Sequence, residues 1–152
     1  LGNTGEWLKL FDDKNNLIDQ IEAIENWPGG DNNTKQTLER VSAGVWQTSL
    51  NVNGTPKAQN SAPNPQDQDE ENNPDQTPDD NITTEEIPSL SSDGNTSAKA
   101  VKEDIVINEI FPNPVGVDSE MEFIEIKNIS NKSIDLTNWI IKNSAGQAYT
   151  LP

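Results

Sequence analysis

The chain contains no cysteine and no histidine. The first absence excludes disulfides and thiolate chemistry. The second removes the commonest general base and metal ligand. Basic residues are scarce: 10 Lys and Arg against 26 Asp and Glu leave a net charge of −16. Such a field repels phosphate backbones and anionic lipid surfaces, so direct nucleic-acid binding is disfavoured. No apolar run is long enough to span a membrane. Apolar residues make up 31% of the chain, against a usual ~45–50%. Part of its 152 residues is therefore expected to stay outside any core. There is no initiator Met and no signal-peptide pattern, and the opening "LGNTGE" reads as a turn. Both ends read as cut, and the chain is expected to be part of a longer polypeptide.

What is present divides into three segments. Residues 1–60 carry 8 acids and 5 bases, and residues 105–152 carry 6 and 3. Residues 61–104 carry 12 acids and only 2 bases. This middle segment is rich in Pro, Asn and Ser and has no apolar period. It cannot bury enough surface to offset its ordering entropy, so it is expected to be a disordered acidic linker. Its "DQDEENNPDQTPDD" lacks the loop Gly and terminal Glu of an EF-hand. Weak, nonspecific cation binding is the most expected of it.

In the first segment, "WLKLF" and "LIDQIEAI" flank the turn-forming "DDKNN" and predict a β-hairpin. A helix over 14–25 competes, because Leu17, Ile18, Ile21 and Ile24 also fit a helical stripe. Residues 26–60 read as loop-rich, interrupted by "TLER" and "GVW". In the last segment, "IVINEIF" and "MEFIEIKNIS" read as strands. "NKSIDLTNWIIKN" reads as two short strands around a bend at Leu136, Thr137 and Asn138, and "QAYTLP" as another. Short strands joined by Asn, Ser and Gly turns predict an antiparallel sandwich.

The candidate site residues are few. Glu109 and Glu125 fall on neighbouring strands, and paired carboxylates can do acid–base work. No nucleophile accompanies them, so they are expected to face solvent or to accept hydrogen bonds from backbone or from Arg40. Arg40 can bind a carboxylate or phosphate ligand; an ion pair with Glu39 or a strand Glu is preferred. Trp7, Trp46 and Trp139 are expected to anchor core or loops rather than stack on glycans. Trp27, beside Pro-Gly-Gly, is the one to examine for exposure. Six Asn-x-Ser/Thr sequons, at Asn32, Asn53, Asn81, Asn95, Asn128 and Asn131, are what chance gives in a chain with 20 Asn. No catalytic, cofactor-binding or metal-binding residue is assigned.

The last segment resembles the first half of a lamin tail domain, of the kind found in bacterial proteins. Ile107, Asn108, Glu109, Pro112, Asn113 and Pro114 carry its opening strand. Glu122, Phe123, Ile124, Glu125, Ile126 and Asn128 carry its second. Asp135, Leu136, Thr137, Asn138 and Trp139 carry its Leu-Thr-x-Trp element. Residues 1–60 resemble the late half of the same family. Thr37, Glu39, Arg40, Trp46, Thr55, Pro56 and Asn60 carry that match, with Lys57 where the family usually has Gly. The order is late half (1–60), linker (61–104), early half (105–152), as if cut from two tandem copies.

The resemblance implies an all-β, immunoglobulin-like sandwich whose two halves dock as one permuted domain. Trp139 and Ile107 are then expected near Trp7 and Leu10. It also implies a non-catalytic module, without cofactor, of an exported or cell-surface protein, serving protein or ligand interaction or domain spacing. The alternative is a substrate-targeting region of an exported nuclease or phosphoesterase whose catalytic domain lies elsewhere. A nuclear-lamina-like structural protein would need a heptad rod, and none is present.

Overall fold

The structure, a computed structural model, describes residues 1–61, 104–117 and 121–152. The acidic stretch expected to be a linker lies almost wholly outside the described residues. Within them the chain forms β1 (Trp7–Phe11), β2 (Leu17–Glu22), β3 (Gln36–Ser42) and β4 (Val45–Val52). The last segment gives β5 (Ile105–Phe111), β6 (Phe123–Asn128), β7 (Ile140–Asn143) and β8 (Ala148–Thr150). They make two four-stranded antiparallel sheets, ordered β2-β1-β7-β8 and β4-β3-β5-β6. This is an all-β, immunoglobulin-like sandwich.

The centre of each sheet is a pairing between distant segments. β1 pairs with β7 and β3 pairs with β5. The expected docking of the two halves is thus realised strand by strand. Leu8, Leu10, Ile18, Ile21, Leu38, Ile105, Ile107, Ile110 and Trp139 form one core. Each such side chain, fully buried, contributes ~1.5–3 kcal/mol. Ile107, Leu10 and Trp139 meet there as expected, but Trp7 does not. It alternates with Leu8 and Leu10, so it faces outward, where the Lys9 ammonium sits 5.2 Å from its ring.

The hairpin reading of the first segment holds, and the helical one over 14–25 fails. Asp12 organises the turn: its Oδ1 accepts from the backbone N–H of Lys14 and Asn16, and its Oδ2 from the Asn16 side chain. A register shift at Leu10/Phe11 lets both Ile18 and Ile21 turn inward, three residues apart. That spacing is what mimicked a helix. Ile24, the fourth member of the stripe, is exposed.

Two readings need correction. Residues 26–60 are loop-rich as expected, but the interruptions are longer than "TLER" and "GVW": β3 and β4 run seven and eight residues. Their alternation was hidden because β3 buries Thr37 and Glu39 on one face rather than apolar groups. The second concerns "NKSIDLTNWIIKN", which supplies one strand, β7, not two. Ile134 and Leu136 pack against the core outside any strand. Asp135 Oδ1 accepts from the Thr137 N–H and hydroxyl and holds the bend.

Candidate functional site

Three glutamates stand side by side across β3, β5 and β6. Glu39 is in register with Glu109, and Glu109 with Glu125. Like charges directly opposite destabilise a sheet, so something must offset them. The segment after β4 does so by supplying donors to all three. Thr55 N–H donates to Glu109 Oε1 at 2.8 Å and the Thr55 hydroxyl to Glu39 Oε1 at 2.7 Å. Lys57 N–H donates to Glu125 Oε2 at 2.6 Å. The Ser61 hydroxyl reaches both oxygens of Glu39. From within the sheet, the Thr37 hydroxyl donates to Glu109 Oε1 at 2.5 Å.

Asn108 completes the arrangement. It is the extra residue of a bulge, since Ile107 pairs with Ile126 and Glu109 already with Glu125. Its amide donates to Glu125 Oε1 at 2.6 Å and to Asn60 Oδ1 at 2.8 Å. The Asn60 amide in turn donates to the Arg40 carbonyl at 2.8 Å. Side chains that look like isolated polar residues in sequence are therefore one network joining strands far apart in the chain.

Glu39 and Glu109 are fully buried. Glu109 Oε2 is enclosed and has no hydrogen bond among the described residues. Burial pushes the Glu109 carboxyl above its ordinary value of 4.5; the Thr37 and Thr55 bonds oppose this, and the charges of Glu39 and Glu125 add to it. A carboxyl raised in this way holds its proton more tightly folded than unfolded. Its stabilising contribution is complete below 4.5 and is lost as pH rises through the folded value. Glu109→Gln keeps the acceptor for Thr37 and Thr55 and removes the carboxyl charge that burial disfavours. It is expected to be better tolerated at pH 7 than at pH 4. It should also flatten the decline in stability above pH 4.5. Urea melts of both proteins between pH 4 and 8 measure this; a parallel pH profile would contradict it.

The ladder is buried structure rather than an open acid–base pair. The expected role of Glu109 and Glu125 as acceptors from backbone holds, but the donors are Thr55 and Lys57, not Arg40. Arg40 pairs with Asp19, not with a glutamate. Its Nη2 donates to Asp19 Oδ2 at 2.5 Å and its Nε to the Ile107 carbonyl at 2.6 Å. Asp19 Oδ2 also accepts from the Ile107 N–H at 2.7 Å. The strand register brought Asp19 inward opposite Leu10, a placement that no spacing in the sequence signals. Burial lowers the Arg40 pKa, and Asp19 partly restores it.

The tryptophans mostly anchor. Trp139 is buried, and Trp27 and Trp46 pack partly against the core. Trp27 also donates Nε1–H to the Gly2 carbonyl at 2.8 Å. Among the described residues, no cluster of three or more Asp and Glu has the arrangement of a metal site. No helix among them is long and apolar enough to cross a membrane.

Residues 98–152 match the Lamin Tail Domain model. No curated protein and no solved structure matches the chain. The lamin tail match covers the Asn108 bulge, two of the three ladder glutamates and the Trp139 anchor.

Lys57 is held in the left-handed region, with φ at 65°. A side chain there costs energy that Gly avoids. Lys57→Gly is expected to stabilise the fold by up to about 1 kcal/mol, because the N–H that serves Glu125 is retained. Thermal unfolding checks this, and a lowered midpoint would contradict it.

Proposed function

We propose that this chain is a non-catalytic interaction module of lamin-tail type within a larger exported or cell-surface protein. The observation that carries the reading is the fate of its carboxylates. Glu39, Glu109 and Glu125 are spent on holding residues 53–61 against β5 and β6, so they have no substrate-facing role. The lamin tail match over residues 98–152 supports the same class.

The finer reading is that residues 1–60 are the late half of one copy and residues 105–152 the early half of the next. The late-half motif residues Thr37, Thr55 and Asn60 bond directly to the early-half residues Glu109 and Asn108. Partners already suited to one another within a single copy would pair in this way across two. The exported setting follows from the resemblance alone, and the full reading frame is expected to carry a signal sequence or surface anchor. Peptide, glycosidic and phosphodiester reporter substrates should be turned over by this chain no faster than in buffer. Turnover that Glu125→Gln abolishes would overturn the non-catalytic reading.

A further inference from the structure

The β3–β5 ladder runs only through Leu38–Ile110 and Glu39–Glu109. Beyond Glu39, β3 is irregular at Arg40/Ser42 and leaves β5. The result is a notch of about 340 Å³, reaching from β2 to the end of β6. Its size is at the small end of ligand pockets, which run ~300–1,000 Å³.

The walls and the charges in this notch differ in kind. Ile18, Val41, Val106 and Ile129 line it with aliphatic surface. Arg40 and Lys127 supply its two cations. The Arg40 side chain is only 10% exposed. It is held by the Ile107 carbonyl, Asp19 and the face of Trp46, whose ring centre is 4.6 Å from Cζ. These contacts use Nε and Nη2. Nη1 has no acceptor among the described residues, yet it is not sealed from solvent. The Lys127 ammonium likewise has no partner among them. A rigidly held guanidinium with a spare nitrogen, lining an apolar notch that Lys127 also lines, is half of a charge-assisted pair.

We propose that the notch binds an organic carboxylate with a short aliphatic body, presented either by a small free acid or by the C-terminus of a peptide. The carboxylate accepts from Arg40 Nη1 and is neutralised further by Lys127, while the aliphatic part covers the walls. Inorganic phosphate fits less well. It is more strongly hydrated, the aliphatic walls offer nothing for its remaining oxygens, and Asp19 already places a negative charge beside the guanidinium. Polyanions are opposed by the charge of −16 on the whole chain. This ligand class rests on the reading of the chain as a binding module. Failure to bind would remove the notch from that reading, whereas failure of the reading itself would appear as turnover in the reporter assays.

The test is a titration of the full ¹⁵N-labelled chain with N-acetylvaline, its amide, butyrate and inorganic phosphate. Saturable shifts are expected at Ala43, Gly44 and Lys127 with N-acetylvaline, and about tenfold weaker binding of the amide. Arg40 variants are liable to unfold, so Lys127→Gln, at an exposed position, is the informative change. It should weaken N-acetylvaline several-fold with an unaltered melting temperature. Butyrate binding as tightly as N-acetylvaline identifies a free acid as the source; tighter N-acetylvaline identifies a peptide C-terminus. Absence of saturation, an amide that binds as tightly as the acid, phosphate that binds as tightly as either, or an indifferent Lys127→Gln overturns the proposal.

Discussion

Asp19→Ala is expected to cost about 3–5 kcal/mol, enough to unfold a marginal domain, because it breaks a mostly buried ion pair from one side. The Arg40 and Asp19 side chains are 10% and 16% exposed. Removing the carboxylate leaves a guanidinium with water largely excluded, and it also strips the acceptor from the Ile107 N–H. The two losses can be separated. In Asp19→Val with Arg40→Met the charge problem disappears, but the Ile107 N–H and carbonyl remain uncapped where β3 has left β5. The double variant should therefore recover only part of the loss. Urea unfolding midpoints of the single and double variants measure both terms. Full recovery would mean that Asp19 and Arg40 matter only to each other. A single variant within about 0.5 kcal/mol of the parent would mean that the pair behaves as a surface one.

Gly54→Ala is expected to destabilise by roughly 3–4 kcal/mol. Gly54 follows Asn53 in a turn where both residues have positive φ, 65° and 72°. The Cβ strain of that conformation is ~1–2 kcal/mol by itself. The methyl would in addition overlap Glu109 Oε1 and the Thr37 side chain. Yielding room means moving the bonds from Thr37 and Thr55 that hold the Glu109 carboxyl in its buried position. Because the clash is with Glu109, shortening that residue should offset it. Gly54→Ala combined with Glu109→Ala should be less harmful than the sum of the two single changes, by ~1 kcal/mol or more. Strict additivity in a double-mutant cycle would show that Gly54 is needed for its backbone angle alone.

Both predictions fall on contacts that only the strand pairing creates, and these were unequally legible in sequence. The β5 and β6 strands could be read from their alternation, and the β1–β2 hairpin from "DDKNN", since a side chain such as Asp12 organises a turn within four residues. Short strands between turns pointed to a sandwich, and the family resemblance added its immunoglobulin-like form. β3 was concealed because its outward face buries Thr37 and Glu39, and a buried polar strand looks like loop when the donors that satisfy it lie elsewhere. The Arg40 partner was misjudged for a similar reason. Glu39 is adjacent in sequence, but a strand sends adjacent side chains to opposite faces. Asp19 arrives from the other sheet.

Composition and spacing by themselves determined what is local or summed over the chain. They excluded thiol and imidazole chemistry, located the acidic segment, gave the β-class and marked the turns. Tertiary structure alone decided which strands pair across the chain, that three glutamates stand in one row, and that Arg40 is held with one nitrogen to spare. The reason is the range of the forces involved. Turn chemistry and alternation act over a few residues. The bond from Thr37 to Glu109 spans 72 positions, and it exists only because packing the core brings β3 and β5 together.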